Sequence, residues 1–170
     1  MPNLAANAAV RWARPDDAAH IIRLIKGLAA YENEPEASVK ITEADILRDG
    51  FGEPKRFECL IADLDGAPVG FALFFSNYST WEGRAGLYLE DLFVDESARG
   101  SGLGRALMAA VAQLAAARNC GRIDLGVLDW NPTRDFYHAI DCHHMHEWLP
   151  YRLDSPAIAA LAAGAPVIAG

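Results

Sequence analysis

Three alternating glycines lie in the segment SARGSGLGRALM, which covers Ser97 to Met108. Glycines at this spacing leave backbone N–H groups uncovered, and the N-terminus of a helix directs such groups toward an anion. The segment stands between a predicted strand and a long predicted helix. The sequence therefore indicates a phosphate-binding loop, with a purely structural turn as the alternative.

Two common phosphate loops do not fit this segment. A Walker loop requires a lysine followed by Ser or Thr after its last glycine, and the segment contains no lysine. A dinucleotide fingerprint requires GxGxxG, whereas Gly100, Gly102 and Gly104 are one residue too close together, and no acidic residue is placed for a ribose. The pattern RxxGxG, which runs from Arg99 to Gly104, remains.

Length and composition predict a single domain over residues 1–170. A chain of 170 residues with 52% apolar residues is long enough for one sizeable core, and no repeat or flexible linker divides it. We expect residues 1–9 to be frayed or disordered, and residues 155–170 to form an Ala-rich tail that adds a helical turn or frays.

The charge and the cysteines exclude several classes of function. A net charge of −8 argues against a nucleic-acid partner, since such affinity depends on Lys and Arg, and it suits a cationic small substrate or simply solubility. No segment approaches a membrane span, and no basic region followed by an apolar run opens the chain. The three cysteines are far apart, which favours a reducing compartment. We expect a cytoplasmic protein with no membrane partner.

Apolar periodicity and turn residues predict an α/β fold built on one central sheet. The first helix ends near Tyr31, and Thr42 with Asp45 resembles a capping box that opens a short second helix, which Gly50 stops. A long helix follows the glycines, and a shorter one covers residues 131–139. Strands are predicted at residues 10–13, 57–62, 69–75, 87–94, 122–128 and 148–153, the second and third of them joined as a hairpin by a loop of a few residues.

Several motifs in order carry a resemblance to a known family. The runs LYLEDLFVDESARGSGLG (87–104) and VLDWNPTRDFY (127–137), with RLIKGLAAYE (23–32) and ILRDGFGEPKRFECLIAD (46–63), resemble the GCN5-related N-acetyltransferases (GNAT). Within them the chain is most similar to the diamine branch, which includes the spermidine/spermine and thialysine N-acetyltransferases. The resemblance implies a mixed, mostly antiparallel sheet flanked by helices, with acetyl-CoA as the acyl donor.

The resemblance also implies where acetyl-CoA is held. Its pyrophosphate would lie on the backbone amides of the loop, and its pantetheine would follow the strand before the loop. Asn131 matches a further CoA contact. The loop residues are Arg99, Gly100, Ser101, Gly102, Leu103 and Gly104, and the strand residues are Leu92, Phe93 and Val94.

Two residues match catalytic positions of the diamine branch. Glu90 matches the carboxylate that contacts the amine and deprotonates it directly or through water, and Tyr137 matches the tyrosine that protonates the departing thiolate. In a regular strand Asp91 would point to the opposite face. The alternative is that Glu90 and Asp91 only pair with a structural arginine such as Arg122.

The acceptor is expected to be a primary amine of a small cation, such as a polyamine, thialysine or a lysine-like metabolite. Tyr31 and Glu32 match residues that line the amine channel together with Glu90, and Trp148 matches a residue near its far end. A protein or peptide acceptor, or a non-catalytic acyl-CoA-binding module, are the alternatives. The resemblance further implies a homodimer.

The segment after Tyr137 departs from the family pattern. Asp141 stands where glycine is expected, so the turn takes another form or Asp141 adopts a left-handed conformation. His143, His144 and His146 follow. On a strand only His144 and His146 would share a face, and no third ligand is spaced to complete a metal site with them, so we predict no metal.

Overall fold

The computed structural model describes residues 4–166. The chain divides into two compact units, of which the first ends at Asn131 and the second begins at Pro132. The single domain expected from length stays a prediction. The expected fraying of the two ends falls partly on residues 1–3 and 167–170, which lie outside the described residues, whereas Ala8 and Ala9 lie in a strand. No helix within residues 4–166 is long and apolar enough to cross a membrane.

One five-stranded sheet forms the centre of the first unit, with its strands in chain order. The first four strands pair antiparallel, and the fifth pairs parallel to the fourth. The predicted α/β class with a mixed, mostly antiparallel sheet is thereby confirmed. The strands are β1 (Ala8–Trp12), β2 (Glu58–Leu64), β3 (Ala67–Ser79), β4 (Arg84–Val94) and β5 (Ile123–Leu125).

Helices cover both faces of this sheet. Helix α1 (Ala18–Tyr31) buries one apolar stripe against β2, β3 and β4, through side chains such as Ile21, Phe71 and Phe93. Helix α3 (Leu103–Ala117) packs against β1, β3 and β4. The strand side chains that alternate with those facing α1 are buried as well, so both faces of the sheet are covered. The remaining helices are α2 (Glu43–Ile46), α4 (Arg134–His138) and α5 (Ser155–Ala162), the last two in the second unit.

Local sequence signals explain how two of these elements begin and turn. Thr42 caps α2, because its Oγ1 accepts from the amide of Asp45 while Asp45 accepts from the amide of Thr42. The hairpin between β2 and β3 turns on Asp65 and Gly66 alone, both at positive φ, so the loop is tighter than expected. The predicted stop at Gly50 is wrong, since α2 continues as a π-helical turn from Leu47 to Phe51.

The last predicted strand, at residues 148–153, is wrong. A strand exists only through hydrogen bonds to a neighbour, and in the part of the chain that the structure describes residues 149–153 make no ladder. The strand predicted at 122–128 and the helix predicted at 131–139 form, but only as the shorter β5 and α4. The Ala-rich tail contains α5, capped by the Asp154 carboxylate, which agrees with the helical alternative expected for it.

Asp141 takes the left-handed conformation, with φ of +62°. Its amide donates to His138 O, and the next amide, of Cys142, donates to Tyr137 O. This pair of bonds is a Schellman-type helix end, in which Asp141 occupies the position where glycine is common. One of the two alternatives predicted for this turn is thus confirmed.

Candidate active site

The glycine loop lies between β4 and α3, as predicted, and two of its glycines are required by the backbone itself. Gly100 and Gly102 have φ of +80° and +84°, a region that side chains rarely adopt. Gly102 is the N-cap of α3, and no side chain caps this helix end. The amides of the first turn are therefore left to another partner.

Gly104 has no such structural reason to be glycine. It lies in the first turn of α3, where glycine is less favourable than alanine. A Cβ built on Gly104 would meet its nearest neighbour, Cγ2 of Val94, only at 3.9 Å. The space beside this residue is therefore open, and it lies next to helix amides and β4.

The charges around the loop favour an anion. The first turn of α3 contains no acidic residue, whereas it contains the exposed Arg105. Arg99 is also exposed, and its Nε donates to Val94 O at 3.3 Å. Within residues 4–166 its two terminal nitrogens have no protein acceptor. The side chains of Leu103 and Ser101 contribute less to anion binding, because Leu103 is buried in the core and the Ser101 hydroxyl donates to Ala98 O at 2.6 Å.

Strand β4 leaves its last residues open on one side. The parallel pairing with β5 covers only Leu87 to Leu89, and β5 ends at Leu125. Among the described residues, no strand pairs with β4 on this side at Leu92, Phe93 and Val94. The Phe93 side chain is buried in the core beneath α1, so a ligand on this side would meet backbone N–H and C=O groups.

A β-bulge lies at Glu90. Leu73 of β3 pairs with Asp91, but the next residue, Phe74, pairs with Leu89, so Glu90 is the extra residue. The regular alternation assumed for Glu90 and Asp91 does not hold across this point. The Glu90 side chain is exposed and Asp91 is partly buried.

The structure gathers carboxylates beside this bulge. Burial raises the pKa of Asp91 to about 7, and the negative charges of Glu90 and Glu32 add to the effect. Burial also raises the pKa of Glu32, followed by repulsion from Glu34. We call Glu32, Glu34, Glu90 and Asp91 the acidic cluster.

The alternative of a structural ion pair is not what the structure shows. Arg122 instead binds Asp124, with Nε donating to Oδ2 at 2.8 Å. Within the described chain, no ion pair includes Glu90 or Asp91. The carboxylates of Glu90 and Asp91 are therefore not neutralised by an arginine or lysine of the described chain.

Tyr31 links helix α1 to the glycine loop. The Arg99 guanidinium carbon lies 4.4 Å from the centroid of the Tyr31 ring, and the Tyr31 hydroxyl donates to Asn131 Oδ1 at 3.2 Å. Asn131 is buried, with 5% exposure. Tyr31, Arg99 and Asn131, predicted from separate motifs, are thus brought together.

Other predicted residues belong to the second unit. Tyr137 is buried in α4, with its ring edge-on to Phe136, and Trp148 is exposed. The rings of His144 and His146 are 6.4 Å apart. Over residues 4–166, no group of three or more His, Cys, Asp or Glu is arranged to hold a metal ion.

The fold and these motifs agree with comparisons to known proteins. The family model described as the acetyltransferase (GNAT) family matches residues 21–141. The chain belongs to this family. Among solved structures, an integron cassette protein from the mobile metagenome of V. cholerae has 24% identity and a TM-score of 0.76, covering 93% of this chain and 99% of its own. That likeness shows the GNAT fold.

Curated relatives place this GNAT protein in the diamine branch. The thialysine N-epsilon-acetyltransferase of Bos taurus is 38% identical over an alignment of 165 positions, which covers 90% of this chain and 96% of the relative. The spermidine/spermine N(1)-acetyltransferase-like protein 1 of Homo sapiens is 35% identical over 85% of this chain and 22% of its own length. The chain is an N-acetyltransferase.

Sequence reasoning missed two features of this GNAT site. It assigned Asp91 to the opposite face, because the bulge depends on how β4 pairs with β3. It also did not single out Arg105, although its place directly after Gly104 was a readable signal, since a cation in the first turn of a helix is otherwise unfavourable.

Proposed function

We propose that the protein transfers the acetyl group of acetyl-CoA to a primary amine of a small cationic substrate. The observation that carries this proposal is the acidic cluster at the bulge, on the strand that leads into the glycine loop. Within residues 4–166 none of the four carboxylates belongs to an ion pair, and a group of acidic side chains attracts a cation. The names of the relatives, thialysine and spermidine/spermine acetyltransferases, favour acceptors of this chemistry.

The residues of the first unit fit the phosphates and pantetheine of acetyl-CoA. The uncapped amides at Gly102 to Gly104, the open space at Gly104 and the guanidinium of Arg99 suit a pyrophosphate. The open side of β4 at Leu92 to Val94 suits the pantetheine amides. One of these backbone N–H groups would polarise the thioester carbonyl. Acetyl-CoA supplies the activated acyl group.

The acceptor amine must lose a proton before it can attack, because an alkyl ammonium has a pKa near ~10.4. We propose that Glu90, exposed on the bulge, accepts this proton directly or through water. Asp91 adds negative charge when it is ionised, which its pKa of about 7 places within the physiological range. Glu32 would line the path of the acceptor, where the resemblance alone also places Tyr31.

The amine then attacks the thioester in a ternary complex, without an acyl-enzyme. Cys59 and Cys142 support this order, since burial raises the pKa of both thiols and so favours their protonated form. By the family resemblance, Tyr137 would protonate the thiolate of CoA, and Trp148 would contact the far end of the acceptor.

We also propose a homodimer. The second unit exposes large apolar side chains over an irregular segment and one helix, and such patches mark interfaces. Residues 149–153 have no ladder partner in the described chain, and a second copy could supply one. The exposed side chains are Met145, Trp148, Leu149, Tyr151, Leu153, Ile158 and Leu161.

The test is the release of CoA from acetyl-CoA by the purified protein with a panel of acceptors. The panel contains thialysine, lysine, ornithine, spermidine, putrescine, a small neutral amino acid and a lysine peptide, with a blank lacking acceptor. Turnover confined to the cationic small molecules is expected. Turnover with the peptide alone would favour a protein acceptor. Binding of acetyl-CoA without turnover would favour a non-catalytic module, and no binding would overturn the proposal.

A further inference from the structure

Tyr31 contacts two residues of the predicted acyl-donor site, Arg99 and Asn131. It is the last residue of α1, and it was expected to line the acceptor channel. Its ring contacts the Arg99 guanidinium, whose carbon lies 4.4 Å from the ring centroid, and its hydroxyl donates to Asn131 Oδ1 at 3.2 Å. Arg99 and Asn131 are both residues that the resemblance assigns to CoA.

The geometry around Arg99 fixes its guanidinium in one place. The Tyr31 ring lies on one side, the Phe93 ring lies 5.9 Å away, and Nε donates to Val94 O. An exposed arginine otherwise loses much rotamer freedom when it binds an anion. Here the Tyr31 ring and the bond from Nε hold the guanidinium, so its charge is placed before a phosphate arrives.

The Asn131 side chain needs a partner of this kind. It is 95% buried, and a buried amide is costly unless it is hydrogen-bonded. The Tyr31 hydroxyl supplies one donor to this side chain, and the backbone N–H of Asn131 donates to Leu128 O. The chain after β5 is thereby tied to the end of α1.

We infer that Tyr31 is a positioning residue of the acyl-donor site, which holds Arg99 through its ring and Asn131 through its hydroxyl. This inference rests on the proposed function, because it requires acetyl-CoA at the glycine loop. It differs from a role in the acceptor channel, which would change the affinity for the amine.

The test compares acetyl-CoA with S-acetylpantetheine, which lacks the phosphates. Tyr31→Leu removes the ring, Tyr31→Phe keeps the ring and removes the hydroxyl, and Tyr78→Leu is a matched control at an exposed tyrosine of β3. Thermal unfolding of each variant confirms folding. A general loss of structure would raise the KM of both donors equally, whereas loss of the Arg99 stack affects only the donor that has phosphates.

We expect Tyr31→Leu to raise the KM for acetyl-CoA about 10-fold, and the KM for S-acetylpantetheine by less than about twofold. Tyr31→Phe should keep the ratio of the two KM values within about twofold of the wild type, because the cation–π contact remains. In an Arg99→Met background, Tyr31→Leu should no longer change that ratio.

A raised KM for the amine with an unchanged KM for acetyl-CoA would overturn the inference and return Tyr31 to the acceptor channel. Equal effects on both donors would also overturn it. Should the wild-type protein fail to bind CoA, the proposed function itself would fall, and calorimetric titration of the wild type distinguishes that case.

Discussion

Two neighbouring carboxylates of β4 have different surroundings, and the bulge between β3 and β4 is the cause. Glu90 is the extra residue and faces solvent, whereas Asp91 is partly buried against like charges. An exposed carboxylate remains accessible to an incoming ammonium. A partly buried one is tuned by its neighbours and titrates near neutrality.

Glu90→Gln should remove the proton acceptor. We expect kcat to fall about 100-fold at pH 7.5, which is a typical loss for a general base. The remaining activity should rise steeply with pH, because only amine that is already neutral can react. The measurement is the pH profile of kcat/KM, with Glu53→Gln at an exposed site as the control. A profile that matches the wild type would exclude Glu90 as the base.

Asp91→Asn should stabilise the protein at alkaline pH. The pKa of Asp91 is raised in the folded state, so its ionisation costs folding free energy that grows from about pH 4, near the unfolded pKa, to about pH 7. The variant lacks this cost, so we expect its unfolding free energy at pH 8 to exceed the wild type by about 1–4 kcal/mol, with the gain vanishing near pH 4.

Urea unfolding at several pH values measures this difference. Asp16→Asn, at an exposed aspartate, should change the unfolding free energy by less than about 0.5 kcal/mol at every pH. A gain for Asp91→Asn that is the same at pH 4 and pH 8 would contradict the titration of Asp91.

At the scale of elements, the loop between β4 and α3 uses its glycines for different purposes. Gly102 is needed by the backbone, and Gly104 leaves space beside the helix N-terminus. Substitution of each glycine with alanine can therefore distinguish the backbone role of Gly102 from the space-providing role of Gly104.

Gly104→Ala should stabilise the fold by about 0.5 kcal/mol, because alanine has less freedom to lose in the unfolded chain. The same change should weaken acetyl-CoA binding at least ~10-fold, since a methyl group enters the space proposed for the phosphates. Gly102→Ala is the matched contrast and should lose about 1 kcal/mol of stability from its left-handed backbone. Calorimetric titration and urea unfolding measure both effects; unchanged affinity in Gly104→Ala would contradict the assigned site.

Local signals explain which elements the sequence could predict. The capping box at Thr42 and Asp45 is read from a few consecutive residues, and the glycine loop is read from its place between strand and helix. The α/β class follows from apolar periodicity and turn residues. Such features depend on interactions between residues close together in the chain, which can be read from a single sequence.

Features that depend on a distant partner could not be predicted in this way. The bulge at Glu90 follows from the register between β3 and β4, and the contact of Tyr31 with Arg99 joins residues 68 positions apart. The strand expected at residues 148–153 has an apolar sequence but no neighbour to pair with in the described chain. Propensity therefore could not decide its structure.

At the scale of the whole molecule, the apolar surface of the second unit predicts association. Wild-type protein should sediment as a dimer at micromolar concentration, and Leu149→Asp should sediment as a monomer, because Leu149 is 72% exposed and its replacement would place a charge in the interface. Tyr78→Asp, at an exposed site of β3, should leave the dimer intact. A wild-type monomer over the whole concentration range would contradict the proposed homodimer.

The net charge of −8 and the acidic cluster together lead to the central claim, which is acetyl transfer to a cationic amine. The most direct measurement is mass spectrometry of the acceptor after incubation with acetyl-CoA, comparing thialysine with a neutral primary amine of similar length. We expect one acetyl group on thialysine, and a kcat/KM at least ~10-fold above that of the neutral amine, equivalent to about 1.4 kcal/mol of discrimination by the cluster. Equal acetylation of both amines would contradict the role of the acidic cluster, and acetylation of neither would contradict the proposed transfer to a cationic amine.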